Sequence, residues 1–115
     1  MRNIKVEGNH TGEYLLSEGE GQISREAIVV AAGPFLPAGQ MLGIKTVGGE
    51  YVPYNNAAND GSEVAVGILY APLPESTVAR RAVAHIRLCE VSAERLIGLD
   101  AAGRADLKVR HLIVR

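Results

Sequence analysis

Residues 36–69 decide the fold of this chain, and they read LPAGQMLGIKTVGGEYVPYNNAANDGSEVAVGIL. The stretch holds two short apolar strands, at 41–47 and 63–71, and a turn rich in Pro, Gly or Asp precedes each. Gly48-Gly49 supplies the positive φ angles that a two-residue hairpin loop needs. Because the loops between the strands carry no catalytic pattern, the stretch predicts a compact β module whose surface binds a partner.

The flanking sequence predicts further short strands. Apolar runs or apolar–polar alternation indicate strands at 27–32, 50–54, 82–91 and 112–114. Pro53 favours an edge position for the second of these strands, since proline cannot donate a ladder hydrogen bond.

A helical turn and one or two short helices complete the prediction. Residues 76–81 are expected to form a helical turn, and Ser92 is a plausible N-cap for a short helix at 93–97. A second short helix is expected at 101–109, weakened by Gly103. The fold class is therefore mostly β, with one or two short helices.

Residues 1–26 differ in composition from the rest of the chain. Charged residues alternate there with glycines and leave few apolar anchors, so the segment buries too little to offset its ordering entropy. We therefore expect a flexible N-terminal arm at 1–26 and a β domain at 27–115, with Ile4 and Val6 outside the core. Two interpretations stay open, namely a frayed terminus or an arm that orders on a partner.

Composition and charge exclude several classes of function. Twelve basic and 13 acidic residues are spread along the chain for a net charge of -1, so no basic stripe is available to bind nucleic acid. No apolar run approaches the about 20 residues of a membrane span, and the first residues lack the apolar core of a signal peptide. We expect a soluble protein without a nucleic-acid or membrane partner.

The hydrophobic content favours self-association. Hydrophobic residues make up 47% of the 115 residues, which so small a single domain buries with difficulty. Oligomerisation is therefore expected.

The sequence contains no recognisable catalytic or metal-binding pattern. Cys89 is the only cysteine and is expected to be a small strand side chain. His10, His85 and His111 lack metal-ligand spacing. His85 and Cys89 are about 13 Å apart by strand rise, too far for a catalytic pair, and we expect His85 to be solvated or at a strand edge.

The alternation in 82–91 places its side chains on two faces. One face holds Ala84, Ile86 and Leu88, and the other holds His85, Arg87 and Cys89.

The carboxylates of the arm are not expected to act in catalysis either. Glu18, Glu20 and Glu26 lie in the Gly-rich segment and lack the rigid support that general acid–base chemistry needs. We expect no enzymatic activity, no metal and no cofactor.

Six short motifs, taken in order, carry a family resemblance. In this order and spacing the chain resembles the head decoration proteins of lambda-like bacteriophages and prophages over roughly residues 12–91, with a weaker resemblance over residues 101–115. The motifs are Leu16-Ser17-Glu18, Ile23-Ser24-Arg25-Glu26, Leu36-Pro37-Ala38-Gly39-x-x-Leu42-Gly43, Tyr51-Val52-Pro53-Tyr54, Asp60-Gly61-Ser62 and Ala65-Val66-Gly67-Ile68-Leu69.

The resemblance implies both a fold and a role. It implies a β-clip-like subunit that forms a homotrimer, made in the bacterial host cytoplasm and placed on the outer surface of the virion. The trimer would clamp the major capsid protein of the expanded head against the pressure of packaged DNA. The N-terminal segment of the family typically reaches the capsid, so the expected capsid-binding residues are Tyr14, Leu15, Leu16, Ile23, Ser24 and Arg25.

A second function stays open beside this one. A small β-barrel with a ligand pocket near Tyr51, Tyr54 and Tyr70, unrelated to phage, fits the same strand pattern.

Overall fold

The computed structural model describes residues 10–21 and 23–115. These residues form eight strands, one α-helix and a 3-10 turn at Ala93–Arg95, so the predicted mostly β fold is confirmed. The elements are β1 (Leu15–Glu18), β2 (Arg25–Val30), β3 (Met41–Ile44), β4 (Tyr51–Pro53), β5 (Gly67–Leu69), β6 (Arg80–His85), β7 (Cys89–Val91), α1 (Ala101–Val109) and β8 (Leu112–Val114).

Five strands close into a barrel in the order β2-β4-β3-β5-β6, with β6 returning to pair with β2. The β2–β6 ladder is antiparallel from Arg25 opposite His85 to Val30 opposite Arg80. β4 pairs with β2 only at Tyr51 and with β3 as far as Pro53. Pro53 therefore has no strand partner on the β2 side, where its missing N–H interrupts no ladder.

Alternation along β2 separates the barrel interior from its outer face. Ile28 and Val30 are buried inside, whereas Ala27 and Val29 are exposed outside. Leucines from the segments around β3 and β5 fill the remaining space. The interior cluster consists of Ile28, Val30, Leu36, Leu42, Leu69, Leu73 and Ala84.

The other three strands form a separate sheet in the order β1-β7-β8. This sheet and α1 enclose a second cluster, made of Tyr14, Met41, Tyr54, Ala65, Ile68, Cys89, Val91, Leu96, Leu107, Leu112 and Val114. Burial raises the pKa of the Cys89 thiol to about 12. The thiol thus stays protonated at neutral pH and packs as a small strand side chain, as predicted.

Two local predictions are confirmed. Gly48 and Gly49 have the predicted positive φ angles, 91° and 72°, although the loop between β3 and β4 is longer than the expected two residues. α1 has the predicted bounds, and the structure gives Gly103 a role. A Cβ at Gly103 would lie 2.7 Å from Met41 Cε and 3.0 Å from Tyr54 Cε2, so glycine lets the helix approach the core.

The predicted strand at 82–91 is wrong as a single element. β6 ends at His85 and β7 begins at Cys89, with Leu88 between them at a φ of 58°. The chain leaves the barrel for the other sheet at this point, so the alternation breaks. Leu88 is exposed, whereas His85 and Cys89 are both buried.

Other boundaries also moved. The strand predicted at 63–71 is shortened to β5, because the preceding residues turn through Gly61, whose φ is 109°. The predicted turn at 76–81 is not helical, since Ser76 forms a β-bridge with Gly33 and β6 begins at Arg80. Ser92 precedes the 3-10 turn without a side-chain capping bond.

Much of the predicted N-terminal arm lies in the folded body. Residues 15–18 pair with β7, Tyr14 has no exposed surface, and residues 25 and 26 begin β2. Composition missed this packing because the contacts of Tyr14 reach residues more than half the chain away. Residues 1–9, with Ile4 and Val6, lie outside the described residues, and the mobility of the segment stays a prediction.

Candidate functional site

The six expected binding residues occupy β1, the residue before it, the loop that leads into β2 and the first residue of β2. Leu16 and Ile23 are 55% and 52% exposed. Leu15 is half-buried against the second cluster. The remaining three contact the body of the protein: Tyr14, Ser24 and Arg25. The structure therefore leaves Leu16 and Ile23 available to a partner and uses the others to hold the segment.

Tyr14, His85 and Glu18 form a chain of hydrogen bonds between the N-terminal segment and the barrel. The Tyr14 hydroxyl contacts Nδ1 of His85, and Nε2 of that ring lies 2.6 Å from Oε2 of Glu18. The hydrogen bond from Arg25 lowers the pKa of Glu18. The ionised carboxylate accepts from Nε2–H of His85, and Nδ1 accepts from the Tyr14 hydroxyl.

Burial indicates that this chain of hydrogen bonds has a structural role in the described conformation. Burial lowers the pKa of His85 and raises the pKa of Tyr14, so both side chains stay neutral at neutral pH. Neither residue has exposed surface through which a reactant could reach it. The expectation of a solvated or edge histidine was wrong, because its partners lie 71 and 67 residues away in sequence.

Arg25 anchors the other side of Glu18. Its Nη2 and Nε lie 2.8 Å and 3.2 Å from the two carboxylate oxygens of Glu18. Its guanidinium carbon lies 4.4 Å from the centre of the Tyr70 ring, a cation–π contact. The edge-to-face packing of Tyr70 on His85 closes the group, with ring centres 5.5 Å apart.

Ser24 fixes the loop between β1 and β2. Its hydroxyl lies 2.8 Å from the Leu88 carbonyl, to which it donates, and it accepts from the Gly19 N–H at 2.9 Å. Nη1 of Arg87 donates to the Ile23 carbonyl at 2.8 Å. The loop thus presents the Ile23 side chain from a backbone that is held at both ends.

β1 also presents an open edge. Among the described strands it pairs only with β7, so the backbone groups on its far side lack a strand partner. Leu88, which the alternation had grouped with Ala84 and Ile86, is exposed beside the loop. We call the open edge of β1 with Leu16, Ile23 and Leu88 the β1 surface. The register of β1 shifts between Leu15 and Ser17, so Leu16 lies at a bulge of this edge. The unpaired backbone groups and the exposed apolar side chains beside them suit contact with an extended segment.

The tyrosines proposed for a ligand pocket have separate contacts. Tyr54 is buried, and its hydroxyl donates to Asp100 at 2.7 Å. Tyr51 packs against the barrel interior, and Tyr70 contacts Arg25 and His85. The described contacts therefore do not favour a shared pocket for Tyr51, Tyr54 and Tyr70.

The part of the chain that the structure describes contains neither a metal-binding group of side chains nor a membrane-spanning helix. Within residues 10–21 and 23–115, no three His, Cys, Asp or Glu side chains are grouped in a way that could hold a metal ion. The helix of the described region is too short and too polar to cross a membrane.

Comparison with known proteins assigns the family. No curated protein matches the sequence. Residues 4–112, nearly the whole chain, match the family model described as Bacteriophage lambda head decoration protein D. The match extends the resemblance carried by the six motifs through α1 and into β8. The chain therefore belongs to the bacteriophage lambda head decoration protein D family.

Proposed function

We propose that this protein binds as a homotrimer to the outer surface of the expanded phage head and stabilises the shell against the pressure of packaged DNA. Membership of the decoration protein family supports the capsid role. The partner in this proposal is the major capsid protein. The protein would be made in the cytoplasm of the bacterial host, from a phage or prophage gene, and end on the virion surface.

The observation that carries the proposal is the β1 surface. Leu16 and Ile23 are more than half exposed, although their backbone is held to the body. A rigid apolar surface loses little conformational entropy when a partner covers it. The open edge of β1 offers main-chain hydrogen bonds to an extended capsid segment, so no deep pocket is needed.

The exposed apolar side chains of the barrel support self-association. Val29 and Val83 lie on the outer face of the β2–β6 ladder, where Val83 is opposite Ala27. Phe35 and Val78 are also exposed. Burying such side chains between subunits is favourable by about 25 cal/mol per Å² of apolar surface.

A trimer would strengthen a weak contact in a simple way. A ligand that binds the intact shell and not its disrupted state stabilises the shell by mass action. When one subunit is bound, the β1 surfaces of the other two are held at high effective concentration near their sites. Individually weak contacts then suffice to hold a clamp.

The decisive experiment adds protein to expanded, undecorated heads and measures co-sedimentation and resistance to heat. The wild type should bind and raise the temperature of head disruption. The double variant Leu16→Ser, Ile23→Ser should bind at least about tenfold more weakly, because two apolar contacts are lost. The matched control is Val47→Ser, Val64→Ser, which changes two exposed valines outside the β1 surface.

The results test two claims separately, namely that the protein decorates the head and that the β1 surface makes the contact. Equal binding by both double variants and the wild type would assign the contact to another face. No binding by the wild type would overturn the decoration proposal for this head. Deletion of residues 1–26 is unsuitable as the test, since it removes β1 and Tyr14 from the second cluster.

A further inference from the structure

The segment that contains the end of α1 and β8 has a net positive charge, although the chain as a whole is slightly acidic. Residues 104–115 contain four Lys or Arg and a single acidic residue, for a net charge of +3. The preceding 103 residues contain eight Lys or Arg and 12 Asp or Glu, for a net charge of -4, and together these give the chain's -1. Arg115 is paired with Glu90, so the cations that could attract an anionic partner are the remaining ones of this segment.

Two of these cations flank an apolar groove. The groove has a volume of about 390 Å³ and lies between one face of α1 and β8. Its walls include the side chains of Ala101, Ala105 and Ile113, with Arg104 and Lys108 beside them. The acidic residue of α1 lies elsewhere, since Asp106 accepts from the Ala65 N–H at 3.0 Å.

The cations of the groove differ in how they are held. Nη2 of Arg104 donates to the Val114 carbonyl at 3.0 Å, which fixes the guanidinium beside the groove. Lys108 is exposed, and no carboxylate pairs with its ammonium among the described residues. Both positive charges are therefore available to an incoming anion.

The groove continues on the other side of Ile113. A second, more open groove of about 380 Å³ shares Ile113 and is lined by His111, Leu88 and the end of β1. Its two carboxylates already have partners, because Glu90 pairs with Arg115 and Glu18 with Arg25. Two grooves joined at one apolar side chain favour an elongated occupant over a compact one.

We propose that this furrow, from α1 across Ile113 towards Leu88, binds a linear peptide segment of a partner protein in which acidic and apolar residues alternate. Carboxylates of the segment pair with Arg104 and Lys108, and its apolar side chains cover Ala105 and Ile113. The apolar floor favours a peptide over a nucleic acid, whose backbone offers no such side chains. Leu88, at the end of the furrow, also belongs to the β1 surface. The inference therefore concerns the purified protein, in which no capsid covers Leu88, and its test is read at α1 and β8.

The test uses the full chain labelled with ¹⁵N and a short capped peptide that alternates glutamate and valine. Titration should shift the amide signals of α1 and β8, and added salt should weaken binding. Two further peptides serve as controls. One replaces glutamate with lysine and the other replaces valine with glycine, and both should bind more weakly.

Substitutions of Arg104 and Lys108 test whether these two cations bind the peptide. Lys108→Gln alone should weaken binding of the acidic peptide, and Arg104→Gln, Lys108→Gln should weaken it roughly fivefold or more. The matched control is Lys45→Gln, Arg81→Gln, which removes two cations outside the furrow and should leave binding unchanged. Lys108→Gln touches no described side-chain contact, so it tests the charge even if Arg104→Gln unfolds the protein.

Several results would overturn the inference. These are no shift at millimolar peptide, equal binding of the lysine peptide, equal losses in the control variant, or shifts confined to the barrel. A single-stranded oligonucleotide that competes for the same amides with higher affinity would reassign the furrow to nucleic acid.

Discussion

His85 joins the N-terminal segment to the barrel through both of its ring nitrogens. Tyr14 contacts one nitrogen and Glu18 the other, while the rings of Tyr14 and Tyr70 pack edge-on against the imidazole. A buried, neutral imidazole in this position makes the attachment of β1 sensitive to protonation. The stability of the whole subunit should therefore depend on pH through this residue.

The direction of this dependence follows from the pKa of His85. Burial lowers that pKa from its ordinary 6.5, although the contact with Glu18 opposes the shift. In the unfolded chain the ordinary value returns, so the unfolded state binds the proton first as the pH falls. The free energy of unfolding should be highest above about pH 6.5 and should decline as the pH drops below that value.

Glu18 adds a second loss at lower pH. Its folded pKa lies below the ordinary 4.5, so the stability it contributes is lost as the pH falls from about that value. Thermal unfolding between about pH 7.5 and about pH 5.5 isolates the histidine, since the carboxylates stay ionised there. His85→Gln should flatten the dependence in this window, whereas His111→Gln, at an exposed site, should keep it. A flat profile for the wild type would contradict the neutral buried imidazole.

At the scale of elements, α1 depends on one residue at its start. Asp100 accepts from the Gly103 N–H at 2.7 Å and from the Tyr54 hydroxyl at 2.7 Å. It thereby caps the helix and fixes the buried tyrosine that packs against Gly103. Burial and, as the smaller cause, the hydrogen bond to Asp100 raise the pKa of Tyr54 to about 12. The Tyr54 hydroxyl therefore stays protonated and remains a donor.

Asp100→Ala removes both hydrogen bonds. We expect it to lower the free energy of unfolding by about 1–3 kcal/mol, through the lost cap and the unpaired Tyr54 hydroxyl. Urea unfolding followed by circular dichroism measures the change. Asp100→Asn keeps an acceptor for both partners and should retain most of the stability. If both variants lost the same amount, the charge of Asp100 and not its capping would be responsible.

The elements that sequence predicted well are those fixed by neighbouring residues. α1 and the glycine turn between β3 and β4 depend on side chains within a few positions of each other. β1 and the break at Leu88 depend instead on the β1–β7 pairing and on the Tyr14 contact, whose partners are more than 60 residues apart. No local pattern reports such distant contacts.

The candidate site likewise contains residues whose exposure agrees with the prediction and residues whose environment depends on distant contacts. Leu16 and Ile23 are among the residues that the family resemblance places at the capsid, and both are exposed. Tyr14 and Ser24 were grouped with them, although their contacts with His85 and Leu88 bury both. Leu88 was missed because the alternation of 82–91 continues through it in sequence but not in space.

At the scale of the whole molecule, two hydrophobic clusters lie in one small chain, and apolar side chains remain outside both. Val29 and Val83 lie on the outer face of the barrel as diagonal neighbours, because Ala27 is opposite Val83 in the ladder. A surface of this kind in a 115-residue subunit is better explained by contact between subunits than by exposure to water.

We therefore expect the wild type to sediment as a trimer at micromolar concentration, with the outer face of the β2–β6 ladder in the contact. Val29→Glu, Val83→Glu places two charges on that face and should shift the protein towards monomer, because unpaired charges are costly to bury. Val47→Glu, Val64→Glu adds the same charges at exposed positions outside the ladder and should stay trimeric. A trimer unaffected by the first pair would place the contact on another face, and a wild-type monomer would leave the capsid as the only site at which three copies assemble.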